Sequence, residues 1–145
     1  MSSDFEPLKR GDLIEIIAPG SHTSLEVLKN GAKVLRSWGY QVTYDKNLLD
    51  PHIFLANTDV KRFKSFQKAV NNKKSKVVWC LRGGYGSIRL LPLLEKMNVP
   101  INKKILIGIS DICSLHTVMN QKWKFPTLHA PLLDRLALDK LSPRD

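Results

Sequence analysis

The sequence predicts an α/β fold, a parallel sheet of about five strands covered by helices in three layers (α/β/α). Three observations predict it. Short apolar runs alternate along the chain with stretches of helical periodicity, the pattern of a parallel sheet joined through helices. Two of those runs lead through glycine- or serine-bearing turns straight into helical patterns. The 145 residues, 43% hydrophobic and 25% charged, suit one globular domain that buries roughly 70% of its unfolded surface and needs no disulfide or metal to hold a core.

Leu13 to Ala18 is the first strand, ended by the turn Pro19-Gly20-Ser21, after which Leu25, Leu28, Ala32 and Leu35 mark a helix that stops near Gly39. Gln41 to Tyr44 is a shorter second strand. Asp45 to Thr58, which contains Pro51, is a loop, and a basic helix follows from about Asp59 to Asn72. Lys76 to Leu81 is a buried strand running into Arg82-Gly83-Gly84-Tyr85-Gly86. Ile88 to Met97 is helical, with Pro92 expected to split it or start a new turn. Lys104 to Ile107 is a fourth strand, followed by Gly108-Ile109-Ser110-Asp111 and a helix carrying Ile112, Leu115, Val118 and Met119. Phe125 to His129 is a fifth. Leu132 to Asp145 reads as polar, without a capped element, as if cut from something longer.

Cys80 and Cys113 lie in apolar runs without metal-ligand spacing, which reads as buried, reduced thiols in a cytoplasmic protein and as no metal site. Met1 to Gly11 lacks the apolar core of a signal peptide, and no later run is long enough to span a bilayer, so no membrane partner is expected. The formal net charge is +10, from 23 Lys and Arg against 13 Asp and Glu. Its densest part runs from Lys61 to Lys76, with Arg62, Lys64, Lys68, Lys73 and Lys74, and with Phe63 and Phe66 interleaved. A nucleic-acid surface would set the cations on phosphates and stack the rings. An amphipathic helix would turn Val60, Phe63, Phe66 and Val70 to the core and leave the lysines in water. The rings fall at helical spacing, which favours the helix and argues against nucleic acid.

Two strand-turn-helix junctions stand where open parallel sheets place their ligand sites, at the carboxyl ends of neighbouring strands. In Gly83-Gly84-Tyr85-Gly86 the missing side chains let backbone N–H groups approach an anion or a developing oxyanion. The loop lacks the glycine spacing of a dinucleotide fingerprint and the Lys-Ser/Thr of a phosphate loop, so no nucleotide cofactor is implied. Ser110 sits where a sharp turn would expose its hydroxyl, with the N–H of Asp111 aimed at an acyl oxygen. Ile112 stands where the α/β-hydrolase pattern needs glycine, so that fold is not supported. Serine and aspartate are also preferred helix N-caps, and capping is the other reading of Ser110 and Asp111.

Arg82-Gly83-Gly84-Tyr85-Gly86-Ser87 followed by Arg89-Leu90-Leu91-Pro92, then Gly108-Ile109-Ser110-Asp111-Ile112 with Leu115-His116, resembles the amino-terminal domain of the serine LD-carboxypeptidase family, which includes microcin-immunity hydrolases. Lys9-Arg10-Gly11-Asp12 to Ala18-Pro19-Gly20-Ser21, and Thr127-Leu128-His129-Ala130-Pro131, are similar to that family in the same order. Ala130 stands where the family usually has glycine, and Cys113 where a small or hydroxylated residue is common.

The resemblance implies a flavodoxin-like domain, with the strand order 2-1-3-4-5 of such sheets, followed by a second domain, with Ser110 as the nucleophile of a Ser-His-Glu triad whose histidine and glutamate come from that second domain, absent from this chain. It implies that Ser110 attacks the amide releasing a terminal D-alanine from a cytoplasmic murein tetrapeptide, with the N–H groups of Asp111 and of Gly84, or its neighbour Gly83, holding the oxyanion. Arg82, Gly83, Tyr85 and Arg89 would contact substrate, Arg82 or Arg89 pairing with the terminal carboxylate. No cofactor is implied. The partners implied are the murein peptide and the missing domain, and a homodimer is left open. His116 is six residues beyond Ser110, roughly 9 Å along a helix axis and on another face. His129 reads as a hydrogen-bonded structural group, and His22 and His52 carry no motif. The chain alone is therefore expected to be inactive. The alternatives are a hydrolase of peptidyl nucleotides and a non-catalytic anion-binding module.

Overall fold

A computed structural model describes residues 6–141. Its strands are β1 (Leu13–Ile17), β2 (Gln41–Tyr44), β3 (Ser75–Cys80), β4 (Ile105–Gly108) and β5 (Thr127–His129), and its helices are α1 (Leu25–Ser37), α2 (Asp59–Asn71), α3 (Leu91–Glu95), α4 (Cys113–Thr117) and α5 (Leu133–Ala137). The strands form one sheet, all parallel, in the order β2-β1-β3-β4-β5, as expected. Both faces of a parallel sheet are covered by helices, which is why the central strands are apolar nearly throughout. Alternate residues serve opposite layers. Ile14, Ile16, Val77, Trp79, Leu81, Ile105 and Ile107 pack with Leu28, Ala32 and Leu35 of α1 and Leu133 and Leu136 of α5. Ile17, Val78, Cys80 and Leu106 pack with residues of α2, α3 and α4.

The helix starts follow from single side chains. Ser24 Oγ accepts the Val27 N–H at 3.2 Å, and Thr58 Oγ1 accepts the Lys61 N–H at 3.4 Å, each satisfying a first-turn donor. Pro92 does split its segment: a 3₁₀ turn over Ser87–Leu90 precedes α3, and the proline sits in the first turn of that helix, where a missing N–H costs nothing.

Three expectations are corrected. The segment after Leu132 contains α5, whose Leu133 and Leu136 are buried against α1. Gly31 of α1 makes the room, since a Cβ there would lie 2.6 Å from Leu133 Cγ. A five-residue helix is too short to show a period in the sequence. Cys80 is buried but Cys113 is exposed, because Cys113 opens α4 on the side away from the sheet while Ile112 and Leu115 are buried. In the basic helix, Phe66 and Val70 are buried as expected, but Val60 is 55% exposed and Arg62 is 2% exposed. The core-facing cation displaces Val60, and what holds it there belongs to the site. Residues 142–145, the end of the stretch expected to be polar and uncapped, lie outside the described residues.

Among the described residues no helix is long and apolar enough to cross a membrane.

Candidate active site

β4 ends at Gly108, and the chain then turns sharply. Ile109 is extended (φ −140°), Ser110 is left-handed (φ +63°), and a 3₁₀ turn over Ser110–Ile112 leads into α4. A non-glycine residue in that conformation costs about 1–2 kcal/mol, and such strain gathers where a side chain must be presented. Gly108 allows the turn to close, because a Cβ there would lie 2.8 Å from Ile112 Cγ2.

The turn after β3 passes beside it. A Cβ on Gly83 would sit 3.5 Å from Ser110 Cβ and 3.4 Å from the Ile109 carbonyl oxygen. Gly84 (φ +82°) and Gly86 (φ +126°) take backbone conformations that side chains disfavour. The turn is braced from two sides. The Ser21 N–H donates to Gly83 O (2.8 Å), and the Tyr85 N–H donates to Ser21 Oγ (3.0 Å). The Ser87 N–H donates to Asp111 Oδ2 (2.8 Å), and Ser87 Oγ donates to Asp111 O. The Asp111 carboxylate thus ties the two turns together. Among the described residues the amides of Gly84 and Asp111 donate to no protein acceptor.

Gly20 fits against this brace with no space to spare: a Cβ would lie 2.4 Å from Gly83 O and 2.9 Å from Asp111 Oδ2. Gly20→Ala is expected to lower stability by about 1–3 kcal/mol, measured by urea unfolding, and an unchanged midpoint would contradict this account of the turn.

Arg62 closes the turn from below. Its side chain is fully buried; it donates to Asn57 O (3.0 Å), Gly86 O (2.8 Å) and Pro19 O, and pairs with Asp59 at 2.5 Å. One guanidinium therefore joins the β1–α1 turn to the glycine turn. Arg89 grips the same carboxylate, its Nε 3.0 Å from both Asp59 oxygens and its Nη2 2.8 Å from Oδ2. These bonds, that from Arg89 foremost, hold the Asp59 carboxyl below its ordinary range. A depressed carboxylate stabilises the fold above its unfolded pKa and loses that contribution as pH falls through the folded value. Between about pH 4 and pH 2 the native chain is expected to lose more stability than Asp59→Asn, and equal acid slopes in pH-dependent urea unfolding would contradict this.

The two turns open into a cleft of about 380 Å³ lined by Gly83, Gly84, Ser110, Arg82, Leu132 and Asp134, with Arg135, Leu138 and Lys140 completing the wall. A separate cleft of about 250 Å³ runs along α2. There Lys61 pairs with Asp50 (2.9 Å) and Lys68 lies 3.7 Å from Asp45, which accords with a solvated basic helix.

The structure brings Ser110, Gly83, Gly84 and Arg82 together at the carboxyl end of the sheet, with Asp111 bracing them. It does not bring in Arg89, which is committed to Asp59, or Tyr85. The Tyr85 ring stands 5.8 Å from that of Phe54, and its side chain lies beside Arg89. No histidine lines the cleft. His116 Nε2–H donates to Gly108 O at 2.8 Å, and burial lowers its pKa. His129 is exposed, its ring 6.1 Å from that of His116, rather than a hydrogen-bonded group. Among the described residues no cluster of His, Cys, Asp and Glu could hold a metal ion.

Sequence reasoning missed Ser21, Arg62 and Asp134. The Asp59-to-Arg62 spacing, i to i+3, signals an ion pair, but nothing in it says that the pair turns inward. Ser21 was visible only as a turn residue, and Asp134 carries no local signal.

Residues 14–130 match the LD-carboxypeptidase N-terminal domain. The chain is 31% identical over 134 residues to the murein tetrapeptide carboxypeptidase of Pseudomonas aeruginosa, covering 91% of this chain and 43% of that protein. Among solved structures, the MccF-like protein of Bacillus anthracis superposes with a TM-score of 0.81 at 25% identity, covering 92% of this chain and 41% of that one. The muramoyltetrapeptide carboxypeptidase of Oxalobacter formigenes superposes with a TM-score of 0.66 at 29% identity, covering 83% and 40%. The chain spans less than half the length of each.

Proposed function

The chain belongs to the LD-carboxypeptidase family through its N-terminal domain, and from that premise we propose that it is the nucleophile-bearing part of a serine peptidase that releases the terminal D-alanine of murein tetrapeptides. The observation that carries the reading is the left-handed Ser110 at the end of β4, packed against the glycine turn.

In this reading Ser110 Oγ attacks the carbonyl of the amide between an L-centre and the terminal D-residue. The Asp111 and Gly84 amides receive the oxyanion, each worth about 3–4 kcal/mol in the transition state. The hydroxyl proton passes to a base and from it to the leaving amine, and water then hydrolyses the acyl-enzyme. That base is assigned to a histidine outside the described residues, oriented by a glutamate, both supplied by a second domain. The same reading gives the chain a cytoplasmic place, since the peptide it acts on is being recycled there. Phe54 and Tyr85, exposed beside the glycine turn, offer apolar contact to the second domain or a second copy.

The test is D-alanine release from a murein tetrapeptide. The chain alone is expected to release none, and the chain fused to the C-terminal part of the P. aeruginosa relative is expected to release it. Turnover by the chain alone, or a folded but inactive fusion, would overturn the proposal. Hydrolysis of a peptidyl nucleotide is the second reading, favoured by the closer superposition on the MccF-like protein. It predicts that the same fusion cleaves an aminoacyl nucleotide in preference to the tetrapeptide.

A further inference from the structure

Two hydroxyls from separate segments converge on one carbonyl beside the nucleophile. Ser87 is fully buried and answers Asp111 twice: its N–H donates to Asp111 Oδ2 at 2.8 Å, and its Oγ donates to Asp111 O. Ser114, in α4, donates from its Oγ to the same carbonyl at 3.0 Å, and its Oγ lies 2.6 Å from that of Ser87. The single hydroxyl proton of Ser87 is committed to Asp111 O, so Ser114 is the donor between the two oxygens. Hydroxyls chained in this way polarise and strengthen one another. The bond from Ser114, three residues beyond Asp111, is a local back-bond that helical serines often make. Ser87 has no such explanation: it lies 24 residues from Asp111 and opens a 3₁₀ turn without capping it.

The carboxylate and the carbonyl of Asp111 are therefore both gripped, and Asp111 cannot turn about its backbone without breaking bonds to Ser87. Its own amide is left open, donating to no protein acceptor among the described residues. The residue before it, Ser110, is held at φ +63°, a strain that a freer turn would relax.

We propose that Ser87 and Ser114 are positioning residues for the oxyanion donor: their hydroxyls lock Asp111 so that its amide stays aligned as negative charge develops on the substrate. A donor fixed in advance pays no reorganisation at the moment of reaction, and a misplacement of about 1 Å can cost on the order of 100-fold. The inference deepens the peptidase reading and rests on it for Ser110 being the nucleophile, though not for the substrate it attacks.

The fused form is treated with a fluorophosphonate, and three quantities are read at Ser110: the saturating rate constant, the half-saturating concentration and the fraction labelled at completion. Ser87→Ala is expected to lower the rate constant at least about tenfold, with the half-saturating concentration and the labelled fraction unchanged. Ser114→Ala, which leaves the Ser87 grip in place, is expected to lower it by about threefold, and Ser114→Thr, which keeps a hydroxyl, to recover that loss. A merely structural role would instead reduce the labelled fraction and leave the rate constant of the folded molecules as it was. Ser114 is half-buried, so its two variants decide the matter where Ser87→Ala does not fold. A native rate constant in folded Ser87→Ala, or equal rates in Ser114→Ala and Ser114→Thr, would overturn the assignment. A native fused form that does not label at Ser110 would overturn it together with the nucleophile. Labelling slowed as expected in a fused form that releases no D-alanine would retire the peptidase reading and leave the positioning role standing.

Discussion

Ser110→Gly is expected to stabilise the domain while removing its chemistry. The left-handed backbone at Ser110 costs about 1–2 kcal/mol for a side chain and nothing for glycine. Glycine returns about 0.5–1 kcal/mol through the greater freedom of the unfolded chain. The net gain is therefore up to about 1.5 kcal/mol, read as a higher urea midpoint. Ser110→Ala keeps the strain and should show no gain. In the fused form both substitutions delete the nucleophile, and loss of one member of a serine triad costs roughly 10⁶-fold in turnover. A glycine variant less stable than the native chain would refute the strain, and either variant with ordinary turnover would refute the nucleophile. The pairing of gain and loss is what an active-site strain predicts.

Arg62→Met carries the largest expected stability effect. The native guanidinium is fully buried and is the donor to Pro19 O, Asn57 O and Gly86 O. Methionine fills much of the volume but leaves those carbonyls unanswered and deprives Asp59 of one of its two cations. Asp59 keeps Arg89, so the cost falls on the carbonyls: each buried acceptor left without its donor costs about 1–3 kcal/mol, and unfolding in urea should show a loss of at least about 3 kcal/mol. Arg62→Lys keeps the charge but not the planar fork, so it should recover only part of the loss. A methionine variant within about 1 kcal/mol of the native chain would show that the turns hold themselves.

The parallel sheet was legible because its strands are buried on both faces and so stand out as apolar runs between turns, as Val77 to Leu81 does. The order of the strands came with the flavodoxin-like fold that the family resemblance implies, and the local pattern alone does not fix it. α5 was not legible, because two buried leucines in five residues make no period and their burial depends on the gap left by Gly31 far away in sequence. Ser110 and the glycine turn were visible as motifs, and their adjacency followed from the strand order. Two things were not local. Whether Arg89 reached the cleft depended on Asp59, 30 residues away, and the wall that Arg135, Leu138 and Lys140 complete depended on where α5 docked. Arg62 was hidden for another reason: within a run of cations, nothing in the sequence marks the one that turns inward to bind carbonyls.

The central claim is that Ser110 is a nucleophile whose base lies outside the described residues. Fluorophosphonate labelling followed by mass spectrometry of the peptide containing Ser110 tests it most directly. The fused form is predicted to carry one adduct, on Ser110, while the chain alone remains unlabelled because an unactivated hydroxyl reacts slowly. An adduct on any other residue of the fused form, or full labelling of Ser110 in the chain alone, would contradict the claim.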